Sequence, residues 1–211
     1  LASMNIASVP VRRKPVVAIL ATGDELVMPG ESPGPDQIIA SNSFGLHAML
    51  SALGASPRLL PIARDSQKSL ETAFDMASGS DLIVTIGGAS VGDHDLVAGV
   101  TGDLGLEQSF YQVAMRPGKP LMAGRMGTAA MIGLPGNPVS AMVCGHVFIA
   151  PMIRAMLGLA DRGRVMDLFE KIMYGDAPGA LTELSQQYAD GADPLAVLRD
   201  LAEITHWISV I

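Results

Sequence analysis

Five short segments carry side chains that could act on a charged small molecule. Thr22, Gly23, Asp24 and Glu25 follow one apolar run, and Arg64 and Asp65 follow a second. A third run leads into Gly87, Gly88, Ala89, Ser90, Val91, Gly92, Asp93, His94 and Asp95. Carboxylates placed in this way can hold a divalent cation or orient an attacking oxygen. Any one of them is also what an ordinary polar loop or helix cap supplies. Their recurrence after three successive apolar runs, each time beside glycine or arginine, favours a shared site. The glycines from Gly87 to Gly92 permit positive φ and let backbone N–H groups approach an anion, although tight turns use glycine too. The loop lacks the Lys-Ser/Thr of a P-loop and the Gly-x-Gly-x-x-Gly spacing of a dinucleotide fold.

Two further segments add cations and a helix entry. Arg116 and Lys119 flank Pro117-Gly118, a local basic pair that suits a phosphate or oxyanion; a solvated turn is the plainer reading. In Leu134-Pro135-Gly136-Asn137-Pro138-Val139-Ser140, Asn137 is expected to cap a helix with Pro138 at its first position. The free N–H groups of that helix would then face the strand ends. A rigid connection would use the same residues. Among the other reactive types, His47 and His146 are expected to be packed histidines, and His94 lies inside the acidic loop. Cys144 sits on an apolar helix with no nearby base and reads as core. No Ser-His-Asp arrangement and no zinc ligand set emerges from the spacing.

These segments need elements to position them. The run from Val16 to Leu20 and the run from Leu82 to Ile86 are continuous and apolar, as buried parallel strands are. A further strand is expected over 58–63, and shorter ones over 110–115, 120–123 and 129–134. Helices are expected over 41–53, with an apolar face including Phe44, Leu46, His47 and Leu50, and after Ser66 as N-cap. Alternation of strand and helix implies an α/β fold: a doubly wound, mostly parallel sheet with helices on both faces. In such a sheet ligands bind beyond the carboxyl ends of the strands, where the loaded segments fall. From Val165 onward only helical spacing remains, with breaks at Gly175-Asp176 and at Gly191-Ala192-Asp193-Pro194. The expected organisation is a lead over 1–14, an α/β domain over 15–157 and a small all-helical segment over 158–211.

Composition narrows the function classes. The chain has 211 residues, 49% of them hydrophobic and 17% charged, which excludes intrinsic disorder. Its net charge of −7 and its 4% aromatic content disfavour a nucleic-acid partner. Acidity is concentrated at the end: residues 161–211 hold 4 basic and 9 acidic side chains, against 10 and 12 before them. A single cysteine fits a reducing, cytoplasmic setting. No uninterrupted apolar run reaches membrane-spanning length, because His146, Pro151 and Arg154 divide 141–157, so no membrane partner is expected. No signal peptide is visible, and the opening Leu1 suggests a longer parent protein.

The ordered set Thr-Gly-Asp-Glu-Leu, Arg-Asp, Gly-Gly-Ala-Ser-Val-Gly-Asp-His-Asp, Arg-Pro-Gly-Lys-Pro and Gly-Leu-Pro-Gly-Asn-Pro-Val-Ser-Ala resembles the MoeA and gephyrin E-domain family, the molybdopterin molybdotransferases. The resemblance runs from Pro15 to about Leu157. It implies molybdenum cofactor biosynthesis: insertion of molybdenum from molybdate into adenylylated molybdopterin, with Mg²⁺ and release of AMP. It further implies that Glu25, Asp65 and Asp95 are catalytic, with Asp65 and Asp95 holding Mg²⁺. Thr22, Gly23, Asp24, Gly87, Gly88, Ser90, Gly92, Asp93, Arg116, Lys119, Pro135, Gly136, Asn137 and Ser140 would bind the small-molecule substrate. Many members carry Lys where this chain has Arg116. The family's further domains on both sides are missing here, and a homo-oligomer is the expected assembly. Binding without turnover and molybdopterin adenylylation are the alternative functions.

The stretch from Met156 to Ile211 resembles another family, the gamma/tau subunit of the bacterial DNA polymerase III clamp loader. The resembling part spans the end of the ATPase region and the start of the helical collar. No ATPase motif accompanies it, so no nucleotide hydrolysis is implied. Two unrelated resemblances in series are expected of a joined sequence, with a natural fusion as the alternative.

Overall fold

A computed structural model describes residues 13–88, 96–158 and 162–210. Its contacts divide into two units, Lys14–Ile153 and Arg154–Ile211. In the first, β1 (Val16–Ala21), β4 (Ser56–Leu59), β5 (Leu82–Ile86) and β8 (Ala129–Leu134) pair in parallel. The strands β7 (Pro120–Met126) and β6 (Leu106–Gln112) extend the sheet through antiparallel pairing. The order is β4-β1-β5-β8-β7-β6. A separate two-residue parallel pair joins β2 (Leu26–Val27) to β3 (Ile38–Ile39).

The continuous apolar strands are apolar because both their faces are covered. Every residue of β5 is buried, and so is all of β1 after Val16. Successive side chains on a strand point to opposite faces. Ala18, Leu20 and Ile83 therefore join one cluster with Leu70 and Phe74 of α2 (Gln67–Met76) and Val97 and Val100 of α3 (Leu96–Asp103). Helices α1 (Asn42–Ala52) and α4 (Pro138–Cys144) pack against each other, with α1 on β1 and β4 and α4 on β8. Gly45 and Gly145 mark the α1–α4 contact: a Cβ on Gly45 would lie 3.3 Å from Met142 Sδ, and one on Gly145 3.0 Å from both Leu46 Cδ2 and Met49 Cε.

After α4 the chain winds through a π-helical turn (Gly145–Ile149) into α5 (Ala150–Leu157). Taken whole, 138–157 is one helix long and apolar enough to cross a membrane by length and composition. The expectation from interrupted runs missed this, since a single Arg is tolerated within such a window. Ala141, Cys144, Gly145, Ile149, Ala150 and Ile153 are nevertheless buried, which is the stripe of a core helix.

Some boundaries differ from the sequence expectation. The strand expected over 58–63 is Ser56–Leu59, with Pro57 paired to Val17 on an edge strand where a missing N–H is tolerated. The strand expected over 110–115 begins earlier, at Leu106, because its polar, exposed residues pair only with β7. Phe44 is 40% exposed and His146 is exposed, so neither is packed as expected. Caps fall where their residue types predict: Ser66 accepts from the Ser69 N–H, and Asn137 from those of Val139 and Ser140.

The second unit holds α6 (Arg162–Met173), α7 (Ala177–Ala189) and α8 (Pro194–Val210) around Val165, Leu168, Ala180 and Val197. Asp176 caps α7 through the Gly179 N–H, and Asp193 accepts from the Leu195 N–H at the start of α8.

Candidate functional site

The sheet reverses its winding direction at β1 and β5: α1 leads from β1 outward to β4, while α3 leads from β5 toward β6 at the other edge. This is the switch point where open α/β sheets bind ligands. Thr22, directly after β1, is buried; its N–H donates to Ile86 O at 3.0 Å, and it bridges to Ala63 beyond β4. Gly23 donates to Ala63 O at 3.1 Å. Gly87 donates to Leu134 O at 3.1 Å, which ties the end of β5 to that of β8.

Two of the glycines are needed here. Gly87 has φ +90°, and a Cβ there would sit 2.7 Å from Thr22 O. Gly88 has φ +69°, and a Cβ there would overlap Val97 and reach 3.0 Å from Thr22 Oγ1. Gly136 completes the approach, its Cβ position lying 3.6 Å from Gly87 Cα. Its carbonyl accepts from Asn42 Nδ2 at 2.7 Å.

The acidic residues meet across this edge. The Asp65 N–H donates to Asp24 Oδ1 at 3.1 Å, and the Asp24 N–H donates to Asp65 Oδ2 at 3.4 Å. Each carboxylate thus holds the other's backbone, leaving Asp24 Oδ2 and Asp65 Oδ1 without a partner among the described residues. Glu25 is exposed and its carboxylate folds back over Gly23, on the side where a Cβ would stand. Behind the loop, Arg64 Nη1 donates to the carbonyls of Asp24 and Leu26, each at 3.0 Å, and of Gly23 at 3.4 Å.

The cationic loop lies at the same edge. β6 runs in the direction of β8, so the chain from Val113 to Lys119 turns back into β7 where β8 ends. Arg116 and Lys119 are exposed. Gly118 is buried against α4: a Cβ at its φ of +108° would lie 2.5 Å from Cys144 Sγ. The Cys144 thiol donates to Gly118 O at 3.9 Å, and burial pushes it above the ordinary thiol range. It is a buried core residue, as expected.

The structure therefore links Thr22, Gly23, Asp24, Asp65, Gly87, Gly88 and Gly136 through direct contacts, with Glu25 beside them. Pro135 is buried below. Asn137 caps α4 as its type predicts, but the helix N–H groups expected to be free are in part taken by that cap. Asn137 Oδ1 takes the N–H groups of Val139 and Ser140 at 3.0 and 3.2 Å, so those two donors are satisfied by the cap and not offered to a ligand. Ser90, Gly92, Asp93, His94 and Asp95 lie outside the described residues. Among the described residues no group of three or more His, Cys, Asp or Glu converges as a metal site. Two residues escaped the sequence reading. Arg64 was visible as a cation at a strand end, but its target carbonyls were not. The Asn42–Gly136 bond spans 94 positions and has no local signal.

Residues 18–155 match the family described as "Probable molybdopterin binding domain", and residues 149–211 match "DNA polymerase III subunits gamma and tau domain III". The molybdopterin molybdenumtransferase of Nostoc sp. is 40% identical over 164 residues, covering 76% of this chain and 38% of its own length. That of Haemophilus influenzae is 38% identical over 159 residues, covering 75% and 39%. The chain thus spans about two-fifths of the length of these curated relatives. The crystal structure of the molybdopterin biosynthesis moea protein from Pyrococcus horikosii is similar at a TM-score of 0.63 and 34% identity, covering 69% of this chain and 36% of that one. Molybdenum cofactor biosynthesis protein B, at 14% identity and a TM-score of 0.53, shares the fold.

Proposed function

The chain belongs to the molybdopterin-binding domain family, and from that premise we propose that it is the ligand-binding core of a molybdotransferase. The reaction is transfer of molybdenum from molybdate to adenylylated molybdopterin, in which the phosphoanhydride breaks and AMP leaves. One observation supports the reading: Asp24 and Asp65 hold each other's backbone at the switch-point end of the sheet, where Gly87, Gly88 and Gly136 also lie and where the Arg116–Lys119 loop turns at the same end of the strands.

Each part has a physical task. Gly87 and Gly88 supply the positive φ and the close approach to Thr22 and Val97 that turn the chain at the end of β5, where the ligand would sit. Lys119 and Arg116 attract the anion, Arg116 through a planar fork and Lys119 as a point charge. Asp24 and Asp65 fit Mg²⁺, which takes one or two carboxylates and keeps several waters and substrate oxygens. Each of these two retains a carboxylate oxygen beyond the one fixed on its neighbour's N–H. The ion would neutralise charge on the phosphoanhydride. Asp95 belongs to the same proposal from its motif, and Glu25 is placed to orient water or a molybdate oxygen. A reducing, cytoplasmic location and a homo-oligomeric assembly complete the reading.

The test is isothermal titration with adenylylated molybdopterin, followed by assay of AMP release with and without molybdate and Mg²⁺. Binding with molybdate-dependent release supports the proposal. Binding without release supports a module that holds the ligand and leaves turnover to regions present in the longer relatives. ATP-dependent adenylylation of molybdopterin would replace the assignment with the preceding step. Absence of binding would overturn it.

A further inference from the structure

Two arginines, one within β4 and one shortly after it, make the same kind of clamp at opposite ends of the neighbouring strands. Arg58 Nη2 donates to Met76 O, Ser78 O and Ser80 Oγ at 3.2, 3.4 and 3.0 Å, fastening the end of α2 before β5 begins. Arg64 Nη1 donates to Gly23 O, Asp24 O and Leu26 O, and the Arg64 N–H is itself held by Ser69 Oγ at 2.9 Å. The Arg58 clamp closes a connection that carries no candidate chemistry. The Arg64 clamp closes the loop that carries Asp24 and Glu25, and the next residue is Asp65.

We infer that Arg64 is a positioning residue of the proposed site: it holds the 23–26 backbone so that the Asp24 and Asp65 carboxylates are presented in one geometry. This rests on the proposed function. Three carbonyls turned toward one cation cannot rotate independently, so the Asp24 Cα–Cβ direction is fixed before any ligand arrives. Preorganisation of that kind lowers the cost of binding, because the loop has less freedom to lose.

The experiment compares Arg64→Met, Arg64→Lys and Arg58→Met in the full chain. Two measurements apply: amide hydrogen exchange across 23–26, and affinity for adenylylated molybdopterin by titration calorimetry. For Arg64→Met the expected results are exchange at Asp24–Leu26 faster by about tenfold, unchanged exchange within β5, and affinity lower by about 10- to 100-fold. Arg64→Lys should recover part of both, and Arg58→Met should leave both unchanged while lowering the melting temperature. If Arg64→Met binds like wild type, or only melts lower as Arg58→Met does, the role assigned to Arg64 is wrong. If the wild-type chain itself does not bind, the proposed function fails, and unchanged loop exchange in Arg64→Met would separately overturn the clamp.

Discussion

The two units use apolar residues in opposite ways. In Lys14–Ile153, strands β1 and β5 are buried nearly end to end, and the residues that could carry chemistry follow the strand ends. In Arg154–Ile211 the four-residue core leaves much of the apolar surface outside: Leu181, Leu195 and Leu198 are 65, 67 and 62% exposed. Its buried polar groups are structural. Gln187 is buried and donates to Arg164 O at 2.8 Å, while Arg164 pairs with Glu183 and Asp190. The sheet unit concentrates its polar chemistry where a ligand can reach it, and the helical unit spends its own on internal cross-links.

That contrast can be broken most sharply in the cores. Leu20→Ala in β1 should cost about 2–5 kcal/mol by loss of buried surface plus a cavity, measured by denaturant unfolding. Leu198→Ala should stay within about 0.5 kcal/mol, as exposed substitutions do. Equal losses would mean that the exposed helical face is covered in solution.

Glycine gives a second, smaller contrast. Gly88→Ala meets both a positive φ and the Val97 side chain, and should destabilise by about 2–3 kcal/mol, adding strain to overpacking. Gly191→Ala has φ +92° but open space around it, so only the backbone term of about 1 kcal/mol remains. Paired melting curves decide whether the Thr22–Val97 wall is rigid.

At the site the expected loss is of function alone. Asp65→Asn keeps an oxygen for the Asp24 N–H, so stability should change by less than about 0.5 kcal/mol. Molybdate-dependent AMP release should fall about 100-fold or more, since the retained oxygen no longer carries charge. A stability loss with unchanged specific activity would remove Asp65 from the site.

The smallest effect concerns acid. Glu183 lies below the usual carboxylate range because it accepts from Gln187 and pairs with Arg164. A carboxyl whose folded pKa is lowered stabilises above its unfolded value of about 4.3 and loses that contribution as pH falls through the folded value. Wild-type stability, read by denaturant unfolding with far-ultraviolet circular dichroism, should therefore exceed that of Glu183→Gln at neutral pH by less than about 1 kcal/mol, with the gap closing below about pH 4.

Legibility followed locality. β1, β5 and β8 are continuous apolar runs and could be read directly, as could the caps at Ser66 and Asn137, whose signals lie within three residues of their targets. The first half of β6 could not, because an edge strand with exposed Glu107, Gln108 and Ser109 has neither alternation nor an apolar run. The β2–β3 pair rests on non-local bonds such as Ile38 N–H to Glu25 O at 2.8 Å. In the site, the motifs named the carboxylates and glycines, but the reciprocal grip of Asp24 and Asp65 spans 41 positions and belongs to the folded sheet. The helical stripe was visible in the second unit, yet periodicity alone does not say how wide a stripe its neighbours cover.

The π-helical turn at Gly145–Ile149 carries a consequence for the gene as well as the fold. A wide turn holds one residue more than α winding would, so Cys144 before it and Ile153 after it both reach the interior. Deleting a single codon there would restore ordinary winding with little net rotation, because four residues at about 100° each turn the chain about as far as the five residues of the wide turn. Cys144, Ile149 and Ile153 would then recur every four residues and keep facing inward, whereas the same deletion within α4 would turn Ile149 and Ile153 toward water.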